Sequence, residues 1–171
     1  MVVSATTALF GEGAEEAKSL SELGIFWAAP IGSILALIFA FIFYKSMMKA
    51  DEGTDMMKKI AAHVREGAAA YLTQQYKVVG IFFFIVFLIF IVMSFVLKVQ
   101  SIFVPFAFIT SGFFSGLCGF LGMKTATYAS ARTANAARKS LNDGLQIAFR
   151  SGAVMGLVVV GFGLFNISIW F

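Results

Sequence analysis

Four long stretches of this chain carry no Asp, Glu, Lys or Arg: Ser19 to Tyr44 (interrupted only by Glu22), Val78 to Leu97, Val99 to Met123 and Ser151 to Phe171. Each reaches the roughly 20 apolar residues that an α-helix needs to cross about 30 Å of hydrocarbon. The pattern predicts an all-α, polytopic membrane protein with four transmembrane helices. A second pattern runs through the polar segments. Between Thr54 and Tyr76 there is no proline, and Met57, Ala61, Val64, Ala68, Tyr71 and Gln75 recur at steps of three and four. That spacing places them on one face of an amphipathic helix. Thr54 or Asp55 offers a side-chain oxygen to cap its first free amides.

Nothing breaks the chain between this helix and the second span, so one helix is expected from about residue 54 to 97. At 1.5 Å per residue it would be about 65 Å long, so about half of it should project beyond the hydrocarbon. The third span likewise runs on through Lys124, Thr125, Ala126, Ala129, Arg132, Thr133, Ala136 and Ala137, with the small residues on one stripe and the bases beside it. A turn is expected over Ser140 to Gly144, with Asn142 capping the fourth helix. The expected organisation is therefore a segment over 1–23, a first span over 24–44, a loop over 45–53 and a continuous helix over 54–97. A turn over 98–101, a third helix over 102–139, a turn over 140–144 and a fourth span over 145–171 complete it. Helices that protrude this far are built to join a larger helical bundle.

Charge orients these elements. The segment before the first span holds Glu12, Glu15, Glu16 and Glu22 against Lys18, which excludes a cleaved signal peptide with its basic start. Residues 45–77 hold six bases (Lys45, Lys49, Lys58, Lys59, Arg65 and Lys77) against four acids, and Lys124, Arg132, Arg138, Lys139 and Arg150 follow the third span with Asp143 as the sole acid. Cytoplasmic loops retain Lys and Arg, so both basic loops are expected in the cytoplasm, with residues 1–23 and 98–101 external and both termini outside. The net charge of +4 then reports topology and gives no reason to expect nucleic-acid binding. A basic cytoplasmic face would also attract anionic lipid or an anionic substrate. Composition adds that 60% of residues are apolar, 21 of 171 are Phe and 13% are charged, so most of the surface must meet lipid.

Candidate chemistry is sparse. Gly112 and Gly116 in the third span, and Gly152 and Gly156 in the fourth, recur four apart with Ser111, Ser115 and Gly119 nearby, and are expected to permit close helix packing. The second span from Ile81 to Phe95 is almost wholly Phe, Ile, Val and Leu, which suits a lipid-facing position. No ionisable residue lies at membrane depth in any span, although an ion path normally requires one. Pro30 suits a local kink or helix start. His63 has no partners at ligand spacing, and Cys118 reads as a small packing residue. No phosphate-binding glycine loop, nucleophile elbow or zinc signature occurs. Catalytic, cofactor-binding and metal-ligating residues are expected to be absent.

Two strings add a resemblance. Residues 64–77, Val-Arg-Glu-Gly-Ala-Ala-Ala-Tyr-Leu-Thr-Gln-Gln-Tyr-Lys, resemble the REGA-x-AYL-x-x-QY stretch of the membrane-integral, ion-pumping pyrophosphatases. Residues 122–138 (Gly-Met-Lys-Thr-Ala-Thr-Tyr-Ala-Ser-Ala-Arg-Thr-Ala-Asn-Ala-Ala-Arg) and 141–157 (Leu-Asn-Asp-Gly-Leu-Gln-Ile-Ala-Phe-Arg-Ser-Gly-Ala-Val-Met-Gly-Leu) are similar to the segment joining that family's third and fourth helices. The resemblance implies a many-helix pump, normally a homodimer in a bacterial or archaeal cytoplasmic membrane, that hydrolyses magnesium pyrophosphate and drives H⁺ or Na⁺ outward. It implies Mg²⁺ as the cofactor of the intact pump and leaves open whether K⁺ activates it. The family's acidic strings, of the types DVGADLVGKVE and EDDPRNP, do not occur here, and Asp143 is the only acid after Glu66. No catalytic, magnesium or gate residue therefore carries over. The chain reads as the N-terminal part of such a pump, inactive alone, binding no cofactor by itself, and completed by the pump's remaining helices and the lipid bilayer. A stand-alone four-helix membrane scaffold or assembly protein is the alternative. A small multidrug-type transporter would need the intramembrane carboxylate that is missing.

Overall fold

A computed structural model describes residues 27–98 and 100–170. The expectations for residues 1–26, including the external segment and its acids, and for Val99 and Phe171 lie outside the described residues. Among the described residues four helices are long and apolar enough to cross a membrane: α1 (Trp27–Met48), α2 (Asp55–Ile91, continued by a π-helical turn at Val92–Val96), α3 (Phe103–Ala137) and α4 (Leu141–Trp170). No strand occurs among the described residues.

Helix α1 ends later than the expected boundary at Tyr44. Its last turn, Lys45 to Met48, carries a fully buried Met47 that packs with Ala129 and Ile147, and that burial extends the helix beyond its apolar run. Thr54 caps α2, its hydroxyl accepting from the Met57 amide at 3.4 Å. At the other end α2 is not α-helical to residue 97. The Leu97 amide bonds to the Val92 carbonyl, five residues back, and Lys98 at φ 50° reverses the chain. Buried Ser94 donates to the Ser101 carbonyl at 2.8 Å and Gln100 donates to the Phe90 carbonyl at 3.4 Å, so side chains hold the turn that backbone geometry leaves open. Pro105 is the third residue of α3, where its missing amide hydrogen would have had no helical partner.

The turn between α3 and α4 is tighter than the expected 140–144. The amides of Lys139 and Ser140 both bond to the Ala136 carbonyl and α4 begins at Leu141, with Gly144 donating to the Ser140 carbonyl. Asn142 and Asp143 thus lie inside the first turn of α4, with Asn142 exposed instead of standing at the cap. Gly144 is required by proximity: a Cβ there would lie 2.8 Å from the Ala137 Cβ and 3.0 Å from its Cα.

The core sits among α1, α3 and α4. Ala40, Cys118, Val154 and Val158 form one buried cluster, and Met47, Ala129 and Ile147 a second. Helix α1 closes on α4 where the Ser33 hydroxyl donates to the Gly161 carbonyl at 2.8 Å and Leu37 fills the space above Gly161. Helix α2 touches the bundle along α3. Phe83 stacks on Phe108 at 4.8 Å, Phe90 meets Phe108 edge-on at 5.0 Å, and the Tyr76 hydroxyl donates to the Gly116 carbonyl at 2.5 Å. Only 6% of the most apolar 18-residue window of α2 is buried, against 17% for α1 and for α4, so α2 turns most of its apolar surface outward.

Candidate functional site

The polar groups converge at the end of the bundle where α1 passes into α2. The connecting loop, residues 49–54, lies against α3 because two α3 side chains, Arg132 and Asn135, bind its backbone and its one inward carboxylate. Arg132 Nε donates to the Ala50 carbonyl at 3.0 Å, and Asn135 Nδ2 donates to the Asp51 carbonyl at 3.3 Å. Arg132 Nη1 donates to the Tyr128 carbonyl at 2.6 Å and forms an ion pair with Glu52 Oε1 at 2.8 Å. From α2, Arg65 Nη2 donates to that same Glu52 oxygen, and its guanidinium lies over the Tyr128 ring at 4.2 Å. Gly53 makes the approach possible. Its φ of +93° suits glycine, and a Cβ there would lie 2.9 Å from Asn135 Cγ.

This clasp corrects one expectation. Arg132, a base beside the small-residue stripe, is only 7% exposed, because the loop lies over it and the Ala50 carbonyl, the Tyr128 carbonyl and Glu52 take up its guanidinium. Glu52, one of the four acids of residues 45–77, has a side chain only 17% exposed and meets two arginines. Sequence reasoning missed both because the pairing spans about eighty positions and has no local spacing. Asn166 in α4 gives no signal along the chain either, because a neutral amide in an apolar run carries no charge to mark it. Its Oδ1 is enclosed with no hydrogen-bond partner.

The remaining acids do not gather. Asp55 pairs with Lys58 at 3.6 Å, Glu66 pairs with His63 at 3.9 Å, and Asp51 accepts from the Gly53 amide at 3.2 Å. Asp143 is exposed in the first turn of α4. Among the described residues no group of three or more His, Cys, Asp or Glu could hold a metal ion. These carboxylates do not fit a magnesium-bound diphosphate, which needs several facing oxygens around hard cations.

The four glycines singled out for packing separate. A Cβ at Gly112 would overlap the Phe83 ring, so this position does permit α2 and α3 to approach. Gly116, Gly152 and Gly156 have nothing within 4 Å of the position a Cβ would take. Close approach occurs instead at Gly122 against Met155, at Gly144 against Ala137 and at Gly161 against Leu37. The repeat at four positions marks two small-residue faces, but it does not say which face meets a neighbour within these four helices.

The profile of the family described as inorganic H⁺ pyrophosphatase matches residues 34–171. The chain is 65% identical over 147 residues to a Bacteroides thetaiotaomicron protein named as a K⁺-stimulated pyrophosphate-energized sodium pump, covering 86% of this chain and 20% of that protein. It is 39% identical over 144 residues to the K⁺-insensitive pyrophosphate-energized proton pump 2 of Moorella thermoacetica, covering 84% and 20%. A Clostridium tetani protein named as a K⁺-stimulated pyrophosphate-energized sodium pump is 39% identical over 131 residues, covering 74% and 18%. The chain spans about a fifth of the length of the curated relatives it matches.

Proposed function

The chain belongs to the inorganic H⁺ pyrophosphatase family of membrane proteins, and we propose that it is the N-terminal four-helix part of a pyrophosphate-energised ion pump, packing against the helices that carry the chemistry. The observation that carries this reading is the mismatch between family and site. Residues 34–171 match a pyrophosphatase family, yet the described carboxylates are engaged by amides and cations or stand apart. The open glycine faces at Gly116, Gly152 and Gly156, and the unpartnered Oδ1 of Asn166, are then surfaces for further helices. Relatives of this kind do not favour a stand-alone scaffold.

In the intact pump the remaining helices would hold Mg²⁺ and the diphosphate, and the assembly would be a homodimer in a cytoplasmic membrane. The 65% identity to a protein named as a K⁺-stimulated sodium pump supports Na⁺ as the transported ion and K⁺ as the activator. The test is to co-express this chain with the Bacteroides relative from which the matching segment has been deleted. Magnesium-dependent phosphate release from pyrophosphate should appear only when both parts are present, should require Na⁺ and should rise with K⁺. Hydrolysis by the purified chain alone that vanished in Asp143→Asn would overturn the proposal.

A further inference from the structure

The outward face of α4 carries a repeat that its packing within the bundle does not use. Leu145, Phe149, Gly152, Gly156, Val159 and Gly163 follow one another at alternating steps of four and three, so they occupy two positions of a seven-residue repeat. All six are exposed, and the three glycines have nothing within 4 Å of where a Cβ would lie. The buried residues Ile147, Val154, Val158 and Gly161 lie on the opposite side of α4. A seam of this period keeps facing a second helix that crosses at about 20°, and it suits neither a loop nor a lipid.

Depth decides what can cover this face. The charge-free run over 151–171 makes about 30 Å of helix, which takes up the hydrocarbon by itself. Leu145 and Leu141 then stand about 9 and 15 Å beyond it, past a headgroup layer of about 5–7 Å. They are nevertheless 65% and 82% exposed, so neither lipid nor α1, α2 or α3 covers them. Phe149, at the hydrocarbon edge, is 72% exposed and continues the stripe. An apolar stripe that leads out of the membrane into water marks a contact with protein.

Charge narrows the choice of partner. Beside Leu145 and Phe149 opens a groove of about 420 Å³ whose other walls are Phe43, Gln146 and Arg150. Arg150 is the last charged residue before the charge-free run, and among the described residues this half-buried guanidinium meets no acceptor. An arginine at the edge of the hydrocarbon calls for an anionic partner at its own depth. A second copy of α4 would bring another arginine to that level, whereas about 80% of the Bacteroides relative lies outside the matched segment and can supply a carboxylate.

We propose, resting on the pump reading, that this face of α4 seats one further transmembrane helix of the pump. That helix approaches closely at Gly152, Gly156 and Gly163, covers Leu145 and Phe149 beyond the hydrocarbon, and presents a carboxylate to Arg150. Small residues let the two backbones meet within lipid, and the large apolar ones fill the seam outside it.

The test uses this chain co-expressed with the Bacteroides relative that lacks the matching segment, and it reads contact instead of activity. A photoreactive benzoylphenylalanine in place of Leu145 should cross-link to a single helix of the complementary part, whereas one in place of Ile85, exposed on α2, should not. Arg150→Gln should lower the amount of complementary part retained on the chain about ten-fold, the effect of one lost hydrogen bond to a charged group. Lys139→Gln, the same change of charge in the turn before α4, should leave retention unaltered, and helicity by circular dichroism should stay at the parent value in both. A cross-link between two copies of this chain, no cross-link at Leu145 while the two parts co-purify, or equal losses from the Arg150 and Lys139 changes would each overturn the proposal and leave the pump reading standing. Failure of the two parts to co-purify at all would overturn both.

Discussion

Glu52 Oε1 forms an ion pair with Arg132 Nη1 at 2.8 Å although the two residues are 80 positions apart, and together with the bonds from Arg132 and Asn135 to the Ala50 and Asp51 carbonyls it binds the first interhelical loop to the third helix. Arg65 from α2 meets the same oxygen, so three elements depend on a single carboxylate. Replacing Glu52 by Gln should therefore cost about 3 kcal/mol, since removing one partner of a buried pair leaves uncompensated charge. Asp51→Asn, next door but exposed and accepting only the Gly53 amide, should stay within about 0.5 kcal/mol. Loss of helicity on titration with a denaturing detergent measures both. Equal effects would show that the clasp is solvated.

Gly53 and Gly67 should respond in opposite directions to alanine. At φ +93°, with Asn135 and Met57 against it, Gly53→Ala should destabilise by about 1–3 kcal/mol. Gly67 lies within α2 with nothing within 4 Å, so alanine there should stabilise by about 0.5–1 kcal/mol through helix propensity. The same detergent titration reads the sign of each.

A bulky residue separates packing within these helices from packing against others. Gly161→Leu should unfold the chain, because Leu37 and the Ser33 carbonyl occupy that space. Gly156→Leu should leave its helicity unchanged, since the position is open, yet it should reduce the phosphate-releasing activity of the co-expressed pump several-fold. An unaffected activity would mean that this face of α4 meets lipid.

The orientation we propose rests on the basic loops. In a Cys118→Ala background, a single cysteine at residue 58 or 139 should react only with reagent on the cytoplasmic side, and one at residue 100 only from outside. Labelling of residue 139 from outside in intact cells would reverse the topology.

Much of this protein was legible along the chain because its strongest forces are local and periodic. A charge-free run longer than the hydrocarbon is thick must be a helix in lipid, where every backbone group needs a partner, and four such runs mark the four helices. The stripe from Met57 to Gln75 likewise announced a helix, and Thr54 caps it. Element ends were less legible. Met47 extends α1 by burial against Ala129 and Ile147, and Ala136 draws two amides into a shorter turn than the polar run suggests.

What only the tertiary structure decided is which residue meets which. Gly112 and Gly116 are equivalent in spacing, but one lies beneath Phe83 while the other faces open space, because a helix face acquires meaning from its neighbour. Glu52, Arg65 and Arg132 look like ordinary polar residues of basic loops until α1, α2 and α3 come together. Burying a charge is costly unless an opposite charge arrives with it, and only the assembled helices supply that partner. Hydrophobic length by itself therefore determined the number of helices and their membrane habit, while the clasp and the open faces arose from packing.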